Sequence, residues 1–258
     1  MQFARQIASH LAGWTSSLAW ESGPRSTTWL LTSPDGEQLY LKTAPASAAV
    51  SLPAEADRMR WARRIGLPVP PVVAICSADQ ADWLLTRALP GANATDPGLI
   101  ADPRSLVPVL ADGLRRFHQA PAGQCPFPFG IDEALAQVSR RVRAGQIQPA
   151  DMHAEHAHLG PAAALAELER LRPDSEDLVV CHGDYCLPNV LISGGEATGF
   201  VDLGELGVAD RWWDLAVGSW SVTWNLGPGW EDLFLASYGV ARDERRLAFY
   251  RLLYDVTS

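Results

Sequence analysis

The chain has 258 residues, of which 47% are hydrophobic and 20% are charged, and its formal net charge is −9. This composition is typical of a globular protein and excludes disordered, collagen-like and disulfide-scaffold classes. The excess of acidic residues disfavours nucleic acid as a partner, because phosphate binding needs Lys and Arg in excess. An acidic chain is compatible with a cationic ligand.

The cysteines and histidines give no metal-binding pattern. The four cysteines are scattered and form no CxxC pair, so free thiols in a reducing cytoplasm are expected. His153, His156 and His158 lack the spacing of a ligand set and are expected on a solvated helix or loop. No apolar stretch is long enough to predict a signal peptide or a membrane span.

The first 90 residues predict a small antiparallel sheet with one helix packed on it. Phe3, Ile7 and Leu11 recur at helical spacing and predict a short opening helix. Ser51 predicts the N-cap of a second helix, and Gly66 predicts its end. Strand-forming runs flank this second helix, at residues 27–32, 39–42, 72–75 and 83–86.

After Pro90-Gly91 the pattern becomes mostly helical, with a short strand-like interruption at 177–192. We therefore predict an α+β fold of two parts, a sheet-rich part at 1–90 and a mainly helical part at 91–258. Their charges differ, since the first carries a net +1 and the second −10. The helical part is thus the one that would attract a polycation.

The residues with the clearest chemical meaning lie in His182-Gly183-Asp184 and at Asn189. An Asp followed five residues later by an Asn, directly before a strand-like run, is typical of the catalytic loop of phosphotransferases. In such loops the Asp orients or deprotonates a hydroxyl group, and the Asn offers its amide oxygen to Mg²⁺.

A second oxygen ligand is expected at Asp202. The runs 190–192 and 199–201 predict a hairpin with Asn189 before its first arm and Asp202 after its second. An amide oxygen and a carboxylate at the same open end could share one Mg²⁺. The alternative is a hydrolytic metal centre built from His182, Asp184 and Asp202, which leaves Asn189 without a role.

Lys42 ends a predicted strand, and Glu55 lies in the first turns of the following helix. Taken alone, they are an exposed edge lysine and an acid stabilised by the helix dipole. With a phosphotransferase loop downstream, Lys42 is expected to bind nucleotide phosphates and Glu55 to hold it by an ion pair. Backbone N–H groups of the turn that ends in Ser26 and Thr27 could meet phosphate oxygens.

Several motifs together resemble the aminoglycoside phosphotransferases, most closely those that act at the 3′ position of kanamycin- and neomycin-type antibiotics. The motifs occur in the right order over nearly the whole chain: Leu39–Lys42, Leu84–Gly91, His182-Gly-Asp184-xxxx-Asn189, Gly199-Phe-Val-Asp202-Leu-Gly204, Ala209–Ala216 and Ala248–Leu253.

The resemblance implies a two-lobed fold like that of protein kinases, with ATP and Mg²⁺ as cofactors. It implies the catalytic role of Asp184 and the metal-binding roles of Asn189 and Asp202 described above. It also implies an interlobe hinge at about 86–91, where the backbone of Arg87 and Leu89 meets the adenine.

Two positions depart from the family pattern. Glu205 stands where family members commonly have Arg, and the acids that usually end the chain are reduced to Asp255. We expect Asp210, Glu205 and Asp255 to contact the substrate, because ammonium groups need carboxylate partners.

The predicted activity is ATP-dependent phosphorylation of an aminoglycoside hydroxyl, with antibiotic resistance as the outcome. Streptomycin 3″-type, macrolide, choline and homoserine kinases remain alternatives, as does a non-catalytic protein that sequesters ligand. A protein kinase is disfavoured, because few residues follow Asp202 before the Ala209–Ala216 motif. The expected protein is a monomer or weak dimer without nucleic-acid or membrane partners.

Overall fold

A computed structural model describes residues 11, 13–22, 26–46, 51–78 and 80–257. The chain forms two compact units, of which the first comprises Met1–Gly91 with Thr198–Glu205 and the second comprises Ala92–Ala197 with Leu206–Ser258. The sequence predicts a single boundary near residue 90. In the structure, residues 198–205 also belong to the first unit. The predicted opening helix lies almost wholly outside the described residues.

The first unit contains a five-stranded antiparallel sheet within its described residues, in the order β1-β2-β3-β5-β4. Its strands are β1 (Thr15–Ser22), β2 (Ser26–Thr32), β3 (Gln38–Pro45), β4 (Val72–Ala78) and β5 (Ala81–Arg87). The sequence does not predict β1, because this edge strand is exposed along its whole length and lacks an apolar alternation.

One face of this sheet carries the apolar core of the first unit. Leu31 on β2, Leu39 and Leu41 on β3, and Leu85 on β5 are buried together there. Because side chains alternate along a strand, Lys42 on β3 lies on the opposite face. The core therefore fixes the direction in which Lys42 points.

The helix of the first unit, α1 (Leu52–Arg64), begins and ends where the sequence predicts. The Ser51 side chain accepts a hydrogen bond from the backbone N–H of Ala54 at 3.3 Å, which caps the N-terminus. Gly66 follows the helix with a φ of +89°, a conformation that glycine adopts at low cost. The cap places Glu55 in the first turn.

The second unit is mainly helical. Its helices are α2 (Pro97–Ile100), α3 (Pro103–Phe117), α4 (Ile131–Arg143), α5 (Pro161–Leu171), α6 (Trp212–Leu226), α7 (Glu231–Tyr238) and α8 (Glu244–Thr257). None of the helices in the described part of the chain is long and apolar enough to cross a membrane.

Short strands interrupt these helices. They are β6 (Ala92–Asn93), β7 (Leu178–Cys181), β8 (Val190–Ser193), β9 (Glu196–Phe200), which continues into the first unit, and β10 (Gly207–Asp210). β7 pairs with β10, and β6, β8 and β9 form a separate sheet in that order. Gly194 and Gly195, both with positive φ, connect β8 to β9, so the predicted hairpin is present with a shorter connection than the one between the predicted runs 190–192 and 199–201.

In the core of the second unit, the segment that follows β7 packs against α6. A Cβ atom at Gly218 of α6 would lie 2.7 Å from the Phe234 ring and 3.3 Å from Tyr185, so only glycine fits. Tyr185 is buried, and its hydroxyl donates to the Leu110 carbonyl oxygen at 2.8 Å. The residues next to Asp184 are therefore held by the packed interior.

Candidate active site

Three residues predicted from the sequence meet in the first unit. The Lys42 Nζ lies 2.9 Å from Glu55 Oε2 and 2.7 Å from Asp202 Oδ1. Only 3% of the Glu55 side chain is exposed, whereas 46% of the Asp202 side chain is exposed. Lys42 thus has one buried partner and one that solvent or a ligand can reach.

Electrostatics keep Lys42 positively charged. Burial disfavours the charge, but the attraction of Glu55 and Asp202 outweighs this penalty and raises the pKa of Lys42. Burial also raises the pKa of Glu55, although the positive charge of Lys42 opposes that increase. The negative charges of Asp202 and Glu205 raise it further.

Asp202 has a strained backbone. Its φ is +61°, in the left-handed region that non-glycine residues rarely adopt. Such a conformation costs on the order of 1–3 kcal/mol and is concentrated at functional sites. Strain at this position therefore supports the prediction that Asp202 is a site residue.

In the second unit, Asp214 of α6 anchors the segment that leads to Asp184. The fully buried Asp214 carboxylate accepts backbone N–H groups of His182 at 2.6 Å and Gly183 at 2.8 Å. His118 Nε2 lies 2.9 Å from the same carboxylate. The sequence contains Asp214 within a family motif, but its role in holding this loop becomes evident only in the structure.

Both oxygens of the Asp184 carboxylate accept hydrogen bonds from protein side chains. Asn189 Nδ2 donates to Oδ2 at 2.8 Å and also to the Asp184 main-chain oxygen at 2.9 Å. The Tyr254 hydroxyl donates to Oδ1 at 3.0 Å, and the Cys186 thiol donates to the same oxygen at 3.0 Å. Sequence reasoning did not identify Cys186 or Tyr254, because nothing in the local pattern shows that α8 reaches Asp184.

The predicted metal ligands offer atoms that fit Mg²⁺. Because the amide nitrogen of Asn189 faces Asp184, its amide oxygen is the atom that can bind a cation. Asp202 adds an accessible carboxylate. Amide and carboxylate oxygens are ligands that this hard ion prefers.

The alternative hydrolytic metal centre has no support in this geometry. His182 has no exposed surface, and its Nδ1 is 3.3 Å from the backbone N–H of Asp184. A different cluster, His118, Cys181 and Asp214, has ligand atoms within 4.8 Å of one another. Its members are buried and bonded to protein groups, with the Cys181 thiol donating to backbone carbonyls.

Two of the residues predicted to contact the substrate form hydrogen bonds inside the protein instead. Asp210 is 0% exposed, and its carboxylate accepts from the Trp212 N–H at 3.0 Å and from Arg246 at 2.6 Å. This placement assigns Asp210 a structural role and does not support its predicted contact with substrate. Glu205, the third predicted residue, is exposed.

Asp255 is the second of these two residues, and only 2% of its side chain is exposed. Its carboxylate binds the imidazole rings of both His153 and His156. Burial raises the pKa of Asp255, but these hydrogen bonds outweigh burial and lower it below its usual value. The expectation that the histidines are solvated is wrong for His156, which is buried because it pairs with Asp255.

The predicted nucleotide-binding residues lie in or next to the sheet of the first unit. The Arg87 side chain pairs with Glu37, and its backbone N–H donates to the Pro71 carbonyl oxygen at 3.0 Å. That N–H is therefore used within the sheet, while half-buried Leu89 follows β5. Adenine contact at these two positions stays a prediction.

Ser26 and Thr27 begin β2, and their side chains differ in direction. Thr28 pairs with Lys42, and Thr27 pairs with Thr43. Strand alternation therefore places Ser26 on the face of Lys42 and Thr27 on the other face. Of the two side chains, only that of Ser26 is on the side expected for phosphate.

Comparison with known proteins identifies the class to which this fold and site belong. The model of the phosphotransferase enzyme family, APH, matches residues 19–250. The chain belongs to this family. The expected kinase-like α+β fold is confirmed by its similarity to solved structures of the same family.

Individual relatives are similar over most of the chain. An aminoglycoside 3′-phosphotransferase of Streptomyces fradiae is 40% identical over 227 residues, covering 84% of each protein. A streptomycin 3″-kinase of Streptomyces griseus is 38% identical over 234 residues, again 84% of each. The crystal structure of an aminoglycoside-3′-phosphotransferase of type VIII has a TM-score of 0.87 and 34% identity, covering 98% of this chain and 97% of that one.

Proposed function

We propose that this protein transfers the γ-phosphoryl group of ATP to a hydroxyl group of an aminoglycoside, and thereby causes resistance to the antibiotic. The favoured acceptor is the 3′-hydroxyl of kanamycin- or neomycin-type drugs. The observation that carries the proposal is the Asp184 carboxylate, which a hydrogen bond holds next to the Asn189 side chain, because these are the two residue types that a phosphotransferase loop uses. The family and the names of its relatives support the substrate class.

Lys42 binds the phosphates of ATP in this proposal. Its charge is retained because Glu55 and Asp202 stabilise it. The buried Glu55 continues to hold the Lys42 ammonium group when phosphate oxygens approach from the accessible side. Lys42 thus offsets negative charge without moving far from its position in the free protein.

Asp184 accepts the proton of the acceptor hydroxyl. The hydroxyl oxygen forms a bond to the γ-phosphorus, the bond from that phosphorus to the β–γ bridging oxygen breaks, and ADP leaves with the electron pair. Because the transition state is loose, positioning of the hydroxyl by Asp184 contributes more than early deprotonation.

Asn189 and Asp202 are the residues that would hold Mg²⁺, through an amide oxygen and a carboxylate. When bound, the ion neutralises charge that develops on the phosphate oxygens. The accessible carboxylate of Asp202 and the orientation of the Asn189 amide support these assignments.

The acceptor is expected to be a polycation. Residues 91–258 carry a net charge of −10, which favours the binding of ammonium groups. Phosphorylation removes a hydroxyl donor and adds about −1.5 to −2 charges at neutral pH. A drug modified in this way binds anionic RNA less well, which is the physical basis of the proposed resistance.

Streptomycin is the second candidate acceptor. The Streptomyces griseus streptomycin 3″-kinase is nearly as similar as the 3′-phosphotransferase of Streptomyces fradiae, at 38% and 40% identity. A 3″-phosphotransferase solved with ADP and streptomycin has a TM-score of 0.79 at 29% identity, covering 98% of this chain and 96% of that one.

The test is ADP release by the purified protein with Mg²⁺-ATP and kanamycin A, neomycin or streptomycin, followed by NMR to locate the phosphate. We expect turnover with kanamycin A and a product phosphorylated at the 3′ position. Tobramycin, which lacks the 3′-hydroxyl, is the matched control and should not be phosphorylated. Turnover of streptomycin alone would favour the second candidate, and no acceptor-dependent ADP release with any drug would reject both.

A further inference from the structure

The two oxygens of the Asp184 carboxylate are held differently. Oδ1 receives the Tyr254 hydroxyl and the Cys186 thiol, each at 3.0 Å, whereas Oδ2 receives Asn189 Nδ2 at 2.8 Å. A carboxylate oxygen accepts about two hydrogen bonds. Counting the described residues, Oδ1 is therefore filled, and Oδ2 keeps one acceptor position.

Both donors to Oδ1 are neutral groups that retain their protons. Burial, together with the negative charge of Asp184, raises the pKa of the Tyr254 hydroxyl well above its ordinary value. The same two causes raise the pKa of the Cys186 thiol. Neither group neutralises Asp184, so they fix the orientation of the carboxylate and leave its charge in place.

The Tyr254 hydroxyl has a fixed position because α8 is held next to it. The following residue, Asp255, is buried and binds the rings of His153 and His156. The His153 ring stacks in parallel on Trp224, with ring centroids 4.5 Å apart. This clamp holds the last turns of α8 and therefore the phenol that reaches Asp184.

We propose that Tyr254 is a positioning residue that selects the reactive oxygen of Asp184. With Cys186 it occupies Oδ1, so the acceptor hydroxyl binds Oδ2, on the side of Asn189. The choice of oxygen sets the direction from which the substrate approaches, and hence which of its hydroxyl groups is phosphorylated. This inference rests on the proposed function, because it assigns the regiochemistry of the same site.

The first test is Tyr254→Phe, which keeps the ring and removes the donor. A hydrogen bond to a charged group has a strength that corresponds to about a tenfold change in rate. We expect kcat with kanamycin A to fall about tenfold, while the KM for ATP changes by less than about twofold. We also expect NMR of the products to show a second positional isomer that the wild-type protein does not make.

Thr257→Val is the matched control on the same helix. The Thr257 hydroxyl donates to the Leu253 carbonyl oxygen at 2.7 Å, within α8. This variant should keep the wild-type kcat and the single product. A similar loss in both variants, or an unchanged kcat and product in Tyr254→Phe, would overturn the proposal.

A substrate-free measurement separates this inference from the proposed function. Crystal structures of the wild-type and Tyr254→Phe proteins should show a single Asp184 orientation in the first and rotation of the carboxylate in the second. Cys186→Ala removes the other donor to Oδ1 and should also let the Asp184 carboxylate rotate. This variant replaces Tyr254→Phe in the test if Tyr254→Phe does not fold. An Asp184 side chain that stays in place in both variants would reject the inference, whereas absence of wild-type turnover would reject the proposed function alone.

Discussion

The two clusters of candidate site residues differ in the partners of their charged groups. In the first unit, the Lys42 ammonium group has two carboxylate partners, Glu55 and Asp202. In the second unit, the described hydrogen-bond donors to the Asp184 carboxylate are the neutral side chains of Asn189, Cys186 and Tyr254. The first cluster pairs its charged group with groups of opposite charge, whereas the described donors of the second orient a charged group without opposing its charge.

This difference matches what each cluster is proposed to do. A cation that is to meet phosphate has to be held in place until the ligand arrives, and a buried partner such as Glu55 does this at the cost of desolvation. A carboxylate that is to receive a proton has to remain negative, so neutral donors suit it better than a lysine or an arginine. Each of the following variants tests one side of this comparison.

The largest effect is expected at Asp184. Asp184→Asn removes the negative charge and keeps the size of the side chain, so kcat should fall about 1000-fold. The KM for ATP should change little, since nucleotide binding is assigned to other residues. Steady-state ADP release measures both constants, and circular dichroism verifies the fold. A variant that keeps more than about a tenth of the wild-type kcat would reject the role of Asp184.

The ion-paired cluster of the first unit is tested by Lys42→Met. Loss of the ammonium group should raise the KM for ATP and lower kcat/KM about 100-fold, because charge-assisted contacts to phosphate are strong. Arg60→Met is the control, since Arg60 forms an exposed pair with Asp57 at 3.2 Å and such pairs contribute little. Equal losses in both variants would show that the effect is not specific to the cluster.

Asp255→Asn tests the clamp that holds Tyr254. The pKa of Asp255 is lowered in the folded state. Its ionised form therefore adds stability above pH about 4. This stability is lost as the pH falls through the lowered pKa. The variant should unfold about 2 kcal/mol more easily at pH 7 than the wild-type protein. The difference should shrink in acid, as measured by urea unfolding at several pH values. A difference that is constant from pH 7 to 3 would contradict a stabilising role of the ionised Asp255 carboxylate.

The smallest effect is expected at the cap of the helix that carries Glu55. Ser51→Ala removes the side-chain acceptor of the Ala54 N–H and should lower the free energy of unfolding by about 1 kcal/mol. Ser51→Gly should lower the free energy of unfolding by only about a few tenths of a kcal/mol. Thermal unfolding of the two variants measures the difference. A larger loss for Gly than for Ala would argue against capping.

Much of the first cluster could be predicted because its signals are local. The capping position of Ser51 and the strand pattern before Lys42 depend on neighbours a few residues apart, and the structure contains the predicted pair of Lys42 and Glu55. The contact of Lys42 with Asp202, 160 residues away, was not predicted. Local preferences of this kind act within a helical turn or a strand. The exposed strand β1 was missed because no apolar pattern marks it.

By itself, the sequence determined the order of sheet and helices, the loop from His182 to Asn189, and the family that its motifs resemble. The tertiary structure alone decided that Tyr254, 70 residues from Asp184 in the chain, donates to that carboxylate. It also decided that Asp210 is buried in an ion pair with Arg246, and that Asp255 is buried in hydrogen bonds to two histidines. A local pattern fixes the backbone of a short segment, whereas the partner of a distant side chain depends on how all the helices of the unit pack.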